Sequence, residues 1–298
     1  MKIGYFYAMA SGFFCGIAPI LIQDTIAQEN IPIPTALLVR ALAAPLMMMP
    51  FALPRLKKAS VPKPLAVKIP LLSVLLVATL ILLYTSYVYI PIGVGVALHY
   101  TYPLVILVSS VVFYGFTCTR QSIYALLLSL AGIVLLSVDS LSSGQMFLGI
   151  LLAFGSAVVY ALYFLLVEHK GFKAIDSTVL VFFVSIGDVV AMFLYALVTK
   201  QLLLAISVKA FSMLLLSGIC IGSASICLML AIKRIGSVHT SILGTLEPIV
   251  CTLAGALFLH EKVTARMLFG GILILAAVII VTLQTSAKRS KNEEHQYS

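Results

Sequence analysis

Two short stretches gather most of the reactive groups of an otherwise apolar chain. HYTYPLV spans residues 99–105 and GTLEPIV spans residues 244–250. In the second, Glu247 sits about mid-depth in an apolar run. An ionisable side chain there costs roughly 2.5–3.5 kcal/mol to insert and is a functional candidate by default. Gly244, Ser241 and Thr240 follow on one helical face, a stripe of small and polar residues. Pro248 has no backbone N–H, so a carbonyl one turn earlier, near Gly244, is left free. A carboxylate beside a free carbonyl can take an amine, a cation or a proton. The other reading is that Glu247 is buried neutral, or paired, and pins helix packing.

In the first stretch, His99 and Tyr102 are three residues apart and share a helix face, with Tyr100 pointing elsewhere. Neutral His and Tyr can orient a ligand by hydrogen bonds while their rings offer apolar area. They can also simply satisfy each other. Asp188, midway along its own apolar run beside Gly187, could serve a proton relay or cap a packing defect. Arg40 lies nearer one end of its run and reads as structural, either snorkelling outward or pairing inward with an acid. Tyr160 and Tyr163 are deep in a run that also holds Ser156, and Ser11 occupies the equivalent place near the N-terminus. Substrate-binding candidates are therefore His99, Tyr102, Tyr160, Tyr163, Ser11, Ser156, Gly244 and Glu247, with Glu247 and Asp188 as proton-coupling candidates. Pro103 and Pro248 are expected to kink their helices. Gly12–Gly16, Ala157–Ala161 and Gly218–Gly222 are small-xxx-small pairs suited to close helix packing.

These groups are positioned by a repeat. Pro103 and Pro248 are 145 residues apart, and the same offset lays Gly4 on Gly149, Ala8 on Ala153, Ser11 on Ser156 and Leu71 on Leu216. It also places Tyr102 opposite Glu247 and His99 opposite Gly244. With 62% apolar and 10% charged residues, the long runs are nearly charge-free all round, so lipid is their solvent. The net charge of +9 forms no aromatic–basic patch for nucleic acid. Basic residues fall between the runs instead, and the five cysteines follow no metal spacing.

At about 20 residues per crossing, ten spans are expected: 3–22, 34–53, 69–90, 93–116, 122–138, 147–167, 178–199, 211–232, 238–259 and 266–284. If the N-terminus is cytoplasmic, fourteen Lys and Arg fall inside and four (Lys200, Lys209, Lys262, Arg266) outside, which puts both termini in the cytoplasm. Five spans per unit is an odd number, so the second unit enters from the opposite side. The fold class is thus an all-α membrane protein, two inverted five-helix repeats at 1–140 and 145–285, followed by a polar tail at 286–298. Inverted repeats of this kind carry substrate near the midplane between the halves. No G-x-S-x-G, Walker loop or paired-Cys motif is present, and in HEKVT at 260–264 Thr264 stands where a second zinc histidine would be. Neither catalysis, a cofactor nor a metal is expected.

The chain resembles the EamA-type members of the drug/metabolite transporter superfamily over essentially its whole length. The resemblance rests on the 5+5 layout, the prolines of spans 4 and 9, and LEPIVCTLAGALFLHEKVTARMLFGGILIL at 246–275, with Glu247-Pro248, Glu261 and Gly270. The first copy departs from it, with Phe116 in place of Glu261 and Ala125 in place of Gly270. The resemblance implies a secondary transporter, often an exporter, of small metabolites such as amino acids, nucleobases or toxic amphiphiles. It also implies a central cavity lined by spans 1, 3, 4, 6, 8 and 9. The expected partners are a small-molecule solute and the bilayer of the inner membrane, not nucleic acid, with room left for a homodimer. The competing reading is a non-transporting membrane scaffold or assembly protein.

Overall fold

The computed structural model describes residues 2–56, 63–90, 92–116, 119–137, 146–169, 171–203, 205–258, 264–266, 268–277 and 279–280. The polar tail at 286–298 and Glu261 lie outside the described residues. The helices are α1 (Lys2–Glu29), α2 (Ile33–Leu56), the short α3 (Lys63–Ala66), α4 (Ile69–Ser86), α5 (Ile92–His99), α6 (Tyr102–Tyr114), α7 (Arg120–Ser137), α8 (Met146–His169), α9 (Ser177–Val198), α10 (Val208–Gly244) and α11 (Leu246–Phe258). A further apolar helix covers Leu268–Ala277. No strand occurs among the described residues. The architecture is all-α. Five helices are long and apolar enough to cross a membrane: Ile33–Leu56, Ile69–Ser86, Phe147–His169, Ser177–Val198 and Val208–Gly244. Large apolar side chains such as Phe6, Phe51, Phe113, Phe147 and Val198 face outward, as an envelope of lipid requires.

The expected fourth and ninth spans are each broken in two. The first splits into α5 and α6 at Tyr100–Thr101, and the second stops at Thr245 before restarting as α11. Pro103 and Pro248 therefore stand in the first turns of α6 and α11, where a missing N–H costs nothing, and do not kink a continuous helix. A threonine hydroxyl covers a carbonyl at each break: Thr101 Oγ1 donates to Leu98 O at 2.7 Å and Thr245 Oγ1 to Ile242 O at 2.6 Å.

The boundary expected between spans 8 and 9 falls at a kink within α10, where two helical pieces meet at the single non-helical residue Gly236 (φ 80°, ψ 169°), whose positive φ favours glycine. The helix restarts at Ser237, whose amide donates to Glu168 Oε2 at 2.8 Å, as does its hydroxyl. The end of α8 thus supplies the cap for the second part of α10. Nearby, Lys233 Nζ donates to the Ile175 carbonyl and Arg234 lies 5.1 Å from the Tyr7 ring centre.

Most of the closely packed helix pairs join the first half of the chain to the second. Helix α1 packs on α10 and α11, α2 on α9 and α10, α4 on α8 and α9, and α8 on α5 and α6. Equivalent contacts recur at the 145-residue offset. A Cβ on Gly4 would meet Ile235 Cγ2 at 2.7 Å, and one on Gly149 would meet Ile90 Cγ2 at 2.6 Å. The small-xxx-small pairs lie in these seams: Gly12 and Gly16 abut α11, Gly218 and Gly222 abut α2, and Ala157 and Ala161 are fully buried. At Gly218 an added Cβ would fall 2.1 Å from the Arg40 carbonyl, whereas Gly271 has open space. Gly218→Ala should therefore destabilise by about 1–3 kcal/mol and lower the unfolding midpoint in detergent. Gly271→Ala should leave it unchanged, and equal midpoints for the two would remove this seam as a packing constraint.

Candidate functional site

The break in one half lies against the break in the other. Helix α1 runs alongside both pieces of the second, because Gly12 leaves room for the Glu247 amide and Gly16 for the Glu247 carbonyl, 2.7 Å from where its Cβ would be. Across from α1, Tyr102 opens α6 and reaches over to α10. Its hydroxyl lies 3.5 Å from the Ser241 carbonyl, and a Cβ on Gly244 would come within 2.9 Å of it. Gly244 is thus a clearance for the tyrosine, and its own carbonyl faces Gly12.

Around this junction the rings form one cluster drawn from three helices and the break. Tyr102 and Tyr160 have centroids 4.9 Å apart, His99 lies 5.7 Å from Tyr102 and 5.5 Å from Tyr160, and Phe164 packs on Tyr102 and Tyr160 at 5.6 and 5.0 Å. Tyr163 stacks 6.2 Å beyond Tyr160 and is buried. His99 Nδ1 is 2.9 Å from the Ser156 hydroxyl, which also donates to the Ala153 carbonyl at 2.6 Å. Tilted and edge-on pairs of this kind suit the ring quadrupoles.

Tyr100 belongs to the cluster as well. It is buried, its ring is 6.0 Å from that of Tyr102, and Glu247 lies within electrostatic range of it. The expectation that it points away fails for a local reason. The helix ends between His99 and Tyr102, so helical spacing does not carry across the break. Glu247 also lies within electrostatic range of Tyr87, Tyr102, Tyr160, Cys15 and Arg40. A carboxylate ringed by tyrosine hydroxyls is chemically equipped to hold an amine or exchange a proton.

Other sequence candidates sit elsewhere. Ser11 donates to the Ala224 carbonyl at 3.0 Å and ties α1 to α10. The Thr240 and Ser241 hydroxyls turn onto their own helix, bonding the Gly236 and Val238 carbonyls at 2.6 and 2.9 Å. Asp188 is on α9, within electrostatic range of Tyr163 and Arg40, with its Oδ1 buried and lacking a hydrogen-bond partner. Arg40 lies within electrostatic range of Glu247 and Asp188. No group of metal ligands occurs among the described residues. Sequence reasoning missed Tyr100, Phe164 and Glu168. For Tyr100 the available signal was its 145-residue counterpart Thr245, which directly precedes the restart before the other proline.

Comparison with known proteins defines the class. The model of the EamA-like transporter family matches residues 2–138 and again residues 147–283. The chain belongs to the EamA-like transporter family and is an integral membrane transporter of the drug/metabolite type, handling a small-molecule solute in a lipid environment. Among curated proteins it is similar to the uncharacterized transporter YvbV of Bacillus subtilis (strain 168), at 25% identity over 205 residues, covering 68% of this chain and 67% of that one. A crystal structure described only as that of a protein shares the fold with a TM-score of 0.81 and 15% identity, covering 95% of this chain and 98% of its own.

The approach of Tyr100 to Glu247 across the two breaks can be tested alone. Tyr100→Phe should cost about 1–3 kcal/mol of unfolding stability, the penalty for leaving a buried acceptor unsatisfied. Added to Glu247→Gln it should cost less than on its own, with a coupling of at least about 0.5 kcal/mol in the double-mutant cycle. Strict additivity would show that the two side chains do not interact in the membrane.

Proposed function

We propose that the protein is a secondary transporter, an exporter of small organic metabolites such as amino acids or related amphiphiles, working by alternating access. On this reading its ten spans form two inverted five-helix units in the inner membrane, with both termini cytoplasmic. The observation that carries it is the junction of the two broken helices. Irregular backbone at membrane depth is tolerated only where protein covers it or it lines a cavity, and broken helices mark the substrate site in inverted-repeat carriers. Here the junction brings a carboxylate, Glu247, to a cluster of rings around His99, Tyr102 and Tyr160. The carboxylate receives the solute's amine and the rings receive its apolar body. Ser156 orients His99, Tyr163 extends the aromatic wall, and Gly244 keeps the space before Tyr102 open.

Glu247 and Asp188 are the groups available for proton coupling, because each is an acid among the helices with no lysine or arginine in ion-pair contact among the described residues. Counterflow in proteoliposomes across amino acids, nucleobases and amphiphilic amines should reveal saturable exchange for at least one class. Glu247→Gln should then abolish uptake driven by a pH gradient and slow exchange of amine-bearing solutes by about tenfold or more, the loss of a charged hydrogen bond. Gradient-driven uptake that survives in Glu247→Gln removes the coupling role. Absence of any saturable flux favours the scaffold reading.

A further inference from the structure

Glu168 stands one residue before the end of α8, two helical turns after Tyr160 and one after Phe164, on the face that carries those rings. Its carboxylate reaches across to α10. Oε2 accepts from the Ser237 amide at 2.8 Å and from the Ser237 hydroxyl, where the second piece of α10 restarts. Oε1 lies 2.8 Å from where a Cβ on Gly236 would be, so a side chain there would push the carboxylate away.

The two ends of this clasp belong to different packed bodies. Helix α10 packs most closely on α1, and α8 on α4. The other partners of Glu168 stay on its own side. His169 Nε2, at 3.6 Å, is on α8 and stacks on Tyr114 of α6 at 3.7 Å, while Lys173 Nζ, also at 3.6 Å, follows α8 in the chain. A carboxylate that lets go of Ser237 therefore keeps a basic partner. Lys173 is exposed, which sets the clasp at the water edge of the bundle, where solvent can take over the freed amide. Inward from the clasp the seam is filled. Phe164, Val238 and Ile242 are buried, and Tyr102 approaches the Ser241 carbonyl one turn below Ser237. Past them, His99, Tyr160, Gly244 and Glu247 retain accessible surface. The 145-residue offset lays Gln23 on Glu168 and Ile92 on Ser237, so the carboxylate and hydroxyl of the clasp are not repeated in the first unit.

We infer that Glu168 is the latch of a gate at this end of the bundle, the cytoplasmic end in the orientation proposed above. Solute reaches or leaves the ring cluster from this side only when the carboxylate releases Ser237. The inference rests on the transport reading. The test follows exchange of labelled leucine, phenylalanine, uracil and phenethylamine by the full chain in vesicles, with solute presented from each side in turn. Apparent affinity scales with the fraction of protein in the competent conformation. Glu168→Ala should therefore lower the half-saturating concentration on the latched side by about tenfold, the loss of a charged hydrogen bond, without lowering it on the other side. Glu168→Gln, which keeps an acceptor for the Ser237 amide, should fall between. An equal change on both sides, or none, overturns the latch in favour of a purely structural cap.

A crosslink gives a second reading without weakening the clasp. Glu168→Cys with Ser237→Cys, joined by a short bis-thiosulfonate reagent in a chain otherwise free of cysteine, should lose exchange by at least about tenfold, as immobilising a gated step requires, and regain it on reduction. Gly4→Cys with Ile235→Cys places two Cβ atoms 3.7 Å apart between α1 and α10, within one packed body and at disulfide spacing. That pair should keep its exchange when oxidised. Exchange that persists through the 168–237 crosslink overturns the latch while leaving transport intact, and loss in both pairs overturns the placement of the gate at this seam. Flux of none of the four solutes, or of the wider panel above, sinks the transport reading itself.

Discussion

A helix that stops inside a bilayer exposes amides and carbonyls to a solvent that cannot hydrogen-bond them. This protein stops two helices in that way, at Tyr100–Thr101 and at Thr245, and much of its packing answers the need. Threonine hydroxyls cover one carbonyl at each break. The Tyr102 hydroxyl approaches a third carbonyl at Ser241. Glycines on α1 let a neighbouring backbone close over the second break, with Gly16 too near the Glu247 carbonyl to carry a side chain. The prolines that mark the breaks in the sequence are cheap where they stand, since first-turn residues need no amide partner.

The two breaks are alike in backbone and unlike in chemistry. One contributes His99, Tyr100 and Tyr102, and the other contributes Glu247 beside Gly244. Their meeting brings the Glu247 carboxylate within electrostatic range of tyrosines from the opposite half, with rings from α6 and α8 alongside. Symmetry supplies the location, and the departure from symmetry supplies the polarity. Glu168 shows the same economy at the end of α8, where one side chain caps a helix restart that no local residue serves.

Much of this was legible before any coordinates. The proline pair and the 145-residue offset identified the two stretches that meet, and the clearance of Gly244 opposite the first copy lies where the offset points. Runs of charge-free residues marked the helices. What escaped has one cause, namely that helical spacing was carried through places where the helix is not continuous. Tyr100 was assigned to the wrong face because the break resets the phase, and the Thr240–Ser241 stripe lost its hydroxyls to the helix's own carbonyls. The boundary between spans 8 and 9 was legible too, and it falls at the non-helical Gly236 inside α10.

The glycine seams at Gly4 and Gly149 have a mechanical consequence. Each seats the opening helix of one repeat against the end of the third span of the other, Gly4 on Arg234 and Ile235, Gly149 on Tyr89 and Ile90. Contacts this close leave no slack for sliding. The closely packed bodies are therefore crossed pairs, α1 with α10 and α11, and α8 with α5 and α6. The repeat and the packing divide the chain differently, and neither repeat holds a complete packed body by itself.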